Sequence, residues 1–294
     1  MSLARTILSL LHPIETEPAP IKTKLKKIPN IRAVIFDVYG TLLSSRVGSN
    51  SLSEPSVEFD NAIIESLEDS DFDVFDHDMS LSELYIDCVR AHYDIRKAEG
   101  ITYPEINISD VWQDFLNELF ANGVIDGDLT ERSIQRAIVR HECKVNPVWP
   151  AKNSLAFIRK LQDADICAGT ISNAQFYTPI TLEALYQNTL ETLGFKHQIC
   201  IWSYIHKHRK PSALLFKLCE EGLKVLGIDL SEALYVGNDM LNDILPAHKA
   251  GFKTALFVGD VHSARMHEES EDCKKVSPNI IFNSFDQLTK CLLI

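Results

Sequence analysis

A run of four apolar residues, Ala33-Val34-Ile35-Phe36, ends on an aspartate, Asp37, and is followed by the turn former Gly40. A strand with one face in water alternates apolar and polar residues. This run does not, so both its faces need cover. That requirement selects a sheet with helices on both sides and puts Asp37 at the carboxyl end of a central strand. The rest of the chain supplies the cover. Beyond Pro147 and Pro150 the signals alternate, starting with helix Ser154 to Gln162, strand Ile166 to Ile171, helix Ile180 to Thr192 and strand Gln198 to Trp202. They continue with helix Ala213 to Leu226, strand Ala233 to Val236, a helix through Ile244 to Ala250, and strand Thr254 to Val258. Such alternation predicts an α/β fold built on a doubly wound parallel sheet.

Between 44 and 146 the period changes. The segments Val57 to Leu67, Leu81 to Ala98, Val111 to Phe120 and Leu129 to Val139 repeat at helical spacing, separated by Gly-, Pro- and Asp-containing breaks. The expected organisation is an N-terminal extension and linker over 1–29, an α/β core made of 30–43 and 147–294, and a smaller α-helical domain over 44–146. In the extension, the patch from Thr6 to Leu11 is short for a signal sequence and reads as a peripheral helix or a disordered tail. Pro18 and Pro20, followed by Lys22, Lys24, Lys26 and Lys27, read as a polar linker, so folding proper is expected to begin near residue 30.

Charge narrows the partners. With 29 Lys and Arg against 41 Asp and Glu, the net charge is -12, and no global positive field exists to hold a nucleic-acid backbone or an anionic membrane. No run approaches the roughly 20 apolar residues of a bilayer span. The expected partner is a small molecule, and if it is anionic its attraction must come from a local cation or metal ion. Oligomeric state is left open. The seven cysteines are odd in number, scattered and free of any C-x-x-C pair, which fits reduced thiols in the cytoplasm.

Ligands of such sheets gather outside the carboxyl ends of the strands. The positions to inspect are therefore Asp37 to Thr41, Ser172-Asn173, the Ser203 to Lys210 loop, Gly237-Asn238-Asp239 and Gly259-Asp260. Taken singly, each has an ordinary explanation as a helix cap, a solvent-facing lysine or a solvated acidic loop. Their order says more. The segment from Ile35 to Leu42 resembles the first motif of the haloacid dehalogenase superfamily, an apolar strand followed by D-x-D/x-G-T. Ile171-Ser172-Asn173 resembles the second motif, Lys210-Pro211 the third, and Gly237-Asn238-Asp239 with Asp243 the fourth.

The resemblance covers about residues 30 to 44 and 147 to 290, and it implies a Rossmann-like core. It makes Asp37 the nucleophile, with Ser172 and Lys210 as catalytic partners and Tyr39, Gly40, Thr41 and Asn173 around the substrate. It implies Mg2+ held by Asp37, the backbone carbonyl of Tyr39 and an acid of the fourth motif. Counted from Gly237 the first acidic position falls on Asn238; counted back from Asp243 it falls on Asp239. Asp239 is the expected direct ligand, with Asp243 beside the metal acting through water or by orienting neighbours. The helical insertion resembles a cap that closes over the site and selects substrate.

The chemistry asks for these residue types. A phosphate ester repels a carboxylate nucleophile, so Asp37 can attack only if a cation neutralises both, and magnesium prefers oxygens for that task. The expected function is a Mg2+-dependent phosphatase acting on a small phosphorylated metabolite through an aspartyl-phosphate. One departure matters. The family's phosphatases carry a second aspartate two residues after the nucleophile to protonate the leaving alcohol, a group worth about a hundredfold to ten-thousandfold in rate. Here that position is Tyr39, as is typical of 2-haloacid dehalogenases, which need no metal. A dehalogenase-like hydrolase and a catalytically weak binding or regulatory protein stay open as alternatives. Outside the motifs, His206-x-His208 with Cys200 is a weak zinc pattern. His92, Tyr93 and Trp112 read as helix packing, and Gly259 to Arg265 as a surface loop that also leaves a strand on the active edge.

Overall fold

The computed structural model describes residues 2–45 and 54–294; positions 46–53 of the expected helical domain lie outside the described residues. After helix α1 (Leu3–Leu10) comes β1 (Ala33–Phe36), whose four residues are fully buried. Its side chains alternate between two cores. Val34 and Phe36 pack with Phe157, Phe195 and Phe285 on one face, and Ala33 and Ile35 pack with Leu215, Phe216 and Cys219 on the other.

From β1 the chain runs through β2 (Leu43–Ser45) into α2 (Val57–Glu68), β3 (Asp73–Val74), α3 (Leu81–Ala98), α4 (Ile108–Ala121), β4 (Ile125–Asp126) and α5 (Glu131–Val145). It returns by β5 (Val148–Pro150), paired antiparallel with β2, so the helical unit leaves and re-enters the core through one two-stranded neck. Ser56, Ser80, Asn107 and Thr130 cap these helices by accepting from backbone N–H groups of the first turn, each worth about 1 kcal/mol. The Asn107 cap starts α4 at Ile108 rather than Val111, and α5 runs over Glu131–Val145 rather than stopping at Val139.

The core continues with α6 (Ser154–Asp163), β6 (Cys167–Ser172), α7 (Tyr177–Tyr186), β7 (Phe195–Trp202), α8 (Ser203–His206), α9 (Ala213–Val225) and β8 (Ala233–Gly237). A π turn over Met240–Ile244 then leads into α10 (Leu245–Ala250), β9 (Lys253–Phe257), α11 (Glu271–Lys274), β10 (Ile280–Phe282) and α12 (Phe285–Leu292). The six strands are parallel throughout, in the order β10-β9-β8-β1-β6-β7. The chain winds outward from β1 to β7 and then crosses to β8 on the other side. The winding thus reverses at β1, and that switch point is where such sheets bind ligands.

Two differences from expectation have local causes. The helix expected over 180–192 ends at Tyr186 because Gln187 turns left-handed at φ 52°, after which Thr189 and Thr192 close a polar turn through their hydroxyls. The N-terminal extension is not a free linker. Ile7 is fully buried and α1 packs on α5 and α7, while Ala19 N, Lys24 N and Ile28 N donate to the carbonyls of Val258, Ile281 and Cys291. The patch read as a peripheral helix is α1, whereas beyond it the buried Ala19 and Ile28 are widely spaced among prolines and lysines and leave no periodic signal. Among the described residues no helix is long and apolar enough to cross a membrane, and the seven cysteines are free.

Candidate active site

Asp37 follows β1 directly, and its backbone N–H donates to the Val236 carbonyl at 2.8 Å, which ties the end of β1 to β8. Its side chain is buried, and two donors from other strands converge on one carboxylate oxygen. Ser172 Oγ, the last residue of β6, donates to Asp37 Oδ1 at 3.1 Å, and Lys210 Nζ donates to the same oxygen at 2.6 Å. Among the described residues Asp37 Oδ2 has no hydrogen-bond partner. One oxygen is thus immobilised and the other left free, the disposition an attacking carboxylate needs.

Lys210 is itself held from several directions. Its ammonium donates to Asp243 Oδ1 at 2.5 Å and lies 3.4 Å from the Tyr235 hydroxyl, and its backbone N–H donates to Asn173 Oδ1 at 2.7 Å. Burial would push this ammonium down, but the carboxylates of Asp243 and Asp37 outweigh burial and hold it above its ordinary range. Asp243 is fully engaged. Oδ1 accepts from Lys210 and from Tyr235 Oη at 2.9 Å, and Oδ2 accepts from the backbone N–H groups of Asn238 and Asp239, both at 3.1 Å. Burial pushes its carboxyl up, against the pull of Lys210.

Asn238 and Asp239 do different work. The Asn238 amide bridges two loops, accepting from Thr41 Oγ1 at 3.1 Å and donating to the Ser263 carbonyl at 2.6 Å. It sits so close over Gly40 that a Cβ there would lie 2.5 Å from Asn238 Nδ2, and Gly40 has φ +82°, so only glycine fits. Asp239 Oδ1 caps the π turn through the N–H groups of Leu241 and Asn242, while Oδ2 accepts from Asn242 Nδ2 at 2.9 Å. His267 Nε2 stands 3.0 Å from Asp239 Oδ1.

These groups open onto a cavity of about 200 Å³ between the sheet edge and the helical unit. Of the residues singled out from sequence, Asp37, Tyr39, Gly40, Asn173, Lys210, Asp239 and Asp243 line it; Ser172 and Thr41 stand behind that layer. Asp243, expected to act through water or by orienting neighbours, turns both oxygens to Lys210, Tyr235 and backbone N–H groups. The Tyr39 hydroxyl shares a hydrogen bond with Thr178 Oγ1 at 3.0 Å, and burial raises it far above the ordinary tyrosine range, with the Glu142 carboxylate adding to the rise. That makes the Tyr39 hydroxyl a much weaker acid than an ordinary tyrosine. Of the three residues read as helix packing that could also line the pocket, Trp112 is buried in the helical unit, His92 pairs with Asp114 on the surface, and Tyr93 lines the cavity. The loop after β9 contributes Ser263 and Arg265 to the lining.

Sequence reasoning missed Tyr235, Glu105, His141 and Glu142. A tyrosine in an apolar strand and two polar residues inside an amphipathic helix carry no mark of a site until the fold brings them there. Glu105 Oε2 accepts from Ser203 at 2.7 Å; burial raises its carboxyl, opposed by that hydrogen bond and by Arg209. His141 is buried among Phe59, Tyr85 and Trp112, with ring centroids 5.0, 5.7 and 5.3 Å away, and burial drives its imidazole down to about 3. It is neutral at any ordinary pH.

Five lining carboxylates, Asp37, Glu105, Glu142, Asp239 and Asp243, face three cations, Arg209, Lys210 and Arg265. A magnesium ion of the kind the motifs imply would redress that balance. Among the described residues no group of three or more His, Cys, Asp or Glu side chains is placed to hold a metal. A smaller oxygen set suits the ion's chemistry: Asp37 Oδ2, the Tyr39 carbonyl, which accepts no hydrogen bond among the described residues, and Asp239 Oδ2.

The fold has relatives. The 2-haloacid dehalogenase from Pseudomonas syringae pv. Tomato DC3000 superposes with a TM-score of 0.54 at 16% identity, over 89% of this chain and 97% of that one. The L-2-haloacid dehalogenase from Xanthobacter autotrophicus gives 0.47 at 18% identity, over 88% and 97% of the two chains. A predicted phosphoglycolate phosphatase from Haemophilus somnus 129pt gives 0.45 at 15%, over 89% and 97%. No curated protein matches in sequence. The sequence pattern of the haloacid dehalogenase-like hydrolases matches residues 31–251, the span that carries Asp37, Ser172, Lys210 and Asp243. With an aspartate at the switch point, a lysine bound to it and that pattern running through both, the chain belongs to the haloacid dehalogenase-like hydrolases.

Proposed function

We propose that this hydrolase is a magnesium-dependent phosphatase that cleaves a small phosphate monoester through an aspartyl-phosphate on Asp37. The observation that carries the reading is the division of labour in the fourth motif. The Asn238 amide is held between Thr41 and Ser263, and beside it in the cavity lining Asp239 adds a carboxylate to that of Asp37. Two carboxylates there repel an anionic ester unless a cation joins them. Bound by Asp37, the Tyr39 carbonyl and Asp239, magnesium would neutralise nucleophile and phosphoryl group alike.

The chain's own residues do the rest. Asp37 Oδ2 attacks phosphorus as the ester P–O bond breaks, and the alcohol leaves with a proton from water. A second water then hydrolyses the aspartyl-phosphate to inorganic phosphate and free Asp37. Lys210 and Ser172 hold Oδ1, and the Lys210 ammonium stabilises charge that develops on the transferred group. Asp243 and Tyr235 are positioning residues for Lys210. The helical unit over 44–146 acts as the cap that encloses the substrate and excludes water, since Phe59, Tyr85 and Glu142 reach the cavity from it. Seven free cysteines support a reducing, cytoplasmic setting. The test is magnesium-dependent phosphate release from a generic aryl phosphate, lost in Asp37→Asn. No release across a broad ester panel with metal present would overturn the reading.

A second reading rests on Tyr39. With its hydroxyl bound to Thr178 and its proton retained, no first-motif acid serves the leaving group, which suits halide displacement from a 2-haloacid. Halide release in the presence of a chelator is the measurement that would favour it over phosphate chemistry.

A further inference from the structure

The part of the cavity that α5 lines has a composition of its own. α5 presents two consecutive polar side chains there, the imidazole of His141 and the carboxylate of Glu142, beside the rings of Phe59, Tyr85 and Tyr177. Glu142 Oε1 accepts from Asn146 Nδ2 at 2.8 Å, and the Tyr177 hydroxyl faces the same carboxylate. These are neutral donors. Among the described residues no Lys or Arg pairs with Glu142; its neighbours on α5 are committed elsewhere, Arg140 to Asp69 and Lys144 to Glu65. The other cavity carboxylate outside the motifs, Glu105, has Arg209 beside it. His141 is only 4% exposed, and its Nε2 has no partner among the described residues.

A carboxylate removed from water without a counter-charge is costly, and so is an imidazole nitrogen with no hydrogen bond. Among the described residues no cation on the α5 side of this cavity offsets the Glu142 charge, and His141 Nε2 stays without a partner. Aromatic faces attract cations as well, most strongly where water is excluded. One kind of ligand group meets both the Glu142 charge and the aromatic faces: a positively charged hydrogen-bond donor.

Resting on the phosphatase reading, we infer that the substrate is a phosphate monoester whose alcohol portion carries an ammonium group, bound by Glu142 and by the Phe59, Tyr85 and Tyr177 rings while the phosphate meets Asp37. The ester is then drawn in at both ends, anion toward Lys210 and cation toward α5. Burial raises the Glu142 carboxyl in the free protein, and an ammonium partner would draw it back down.

The test measures binding by calorimetry in Asp37→Asn with magnesium, which holds the ester without consuming it. The ligands are ethanolamine phosphate and its neutral counterpart, ethylene glycol phosphate. The amine ester should bind at least about tenfold more tightly, and adding Glu142→Gln should reduce the difference to about threefold or less. Glu142→Asp, which keeps the charge on a shorter arm, should retain part of the preference and guards against a variant that fails to fold. Equal affinities in Asp37→Asn, or a preference that survives Glu142→Gln, would overturn the inference.

Two further arms separate this inference from the phosphatase reading. If wild type hydrolyses an aryl phosphate yet shows no amine preference, the inference falls alone. If no phosphate is hydrolysed, but free ethanolamine raises the melting temperature more than ethylene glycol does and Glu142→Gln removes that difference, the phosphatase reading falls alone. If neither response appears, both fall.

Discussion

Replacing Lys210 with methionine should remove the one cation that separates two buried carboxylates, at 2.6 Å from Asp37 and 2.5 Å from Asp243. At an effective dielectric of about 20, each contact represents roughly 6 kcal/mol of Coulomb attraction, most of which desolvation offsets. The net loss on deleting one partner of such a buried cluster is about 3–5 kcal/mol. Asp243 would keep three donors, the Tyr235 hydroxyl and two backbone N–H groups, and Asp37 only Ser172. The loss should therefore shrink once Asp243 is neutral. A double-mutant cycle in urea with Lys210→Met, Asp243→Asn and the pair should give a coupling energy of about 1–3 kcal/mol. Costs that add to within about 0.5 kcal/mol would refute the claim that one ammonium serves both carboxylates. Turnover in Lys210→Met should fall about a hundredfold or more, as for other preorganised transition-state donors.

Four other outcomes follow from particular contacts. In Gly222→Ala the new Cβ would lie 1.9 Å from the Gln198 carbonyl where α9 crosses β7, so urea melts should show a loss of about 3 kcal/mol. Ile7→Ala should cost about 3 kcal/mol in the same assay, because Ile7 is fully buried; a silent substitution would return the extension to the status of a loose tail. Tyr39→Phe should leave turnover within about threefold, since its hydroxyl reaches only Thr178 and gives up no proton, and a loss comparable to that of a general acid would make it one. His141 should make the fold acid-sensitive: its imidazole is held down to about 3, so its share of stability is intact above pH 6.5 and is lost as pH falls from there toward 3. That share is on the order of 4 kcal/mol, and His141→Gln should flatten this part of the pH–stability curve relative to wild type.

Some of this was legible before any coordinates. The unbroken apolar run of β1 dictated a strand covered on both faces, and β1 is the strand whose side chains alternate between two cores. Spacing at helical period gave Leu81–Ala98 to the residue, because periodicity within one element is a local property that the sequence writes directly. The ends of strands could likewise be read, and with them Asp37, Ser172, Asn173 and Asp239, since polar residues just past apolar runs mark the ligand edge of a parallel sheet; Asp243 came only from its place in the fourth motif.

Tertiary structure decided the rest. That the Asn238 amide is held between the Thr41 and Ser263 loops depended on partners 197 and 25 residues away. Tyr235 joined the lysine cluster only because β8 lies beside β1 and the π turn carries Asp243 back beneath it. The α5 acceptors His141 and Glu142 are consecutive residues of a helix that reads as ordinary amphipathic packing. They reach the cavity because the β2–β5 neck returns α5 to the edge of the sheet. An element's identity follows from interactions along the chain, which its own residues encode. A site is a convergence of distant residues, and which of their hydrogen bonds are satisfied and which are left open is settled only once the chain has closed on itself.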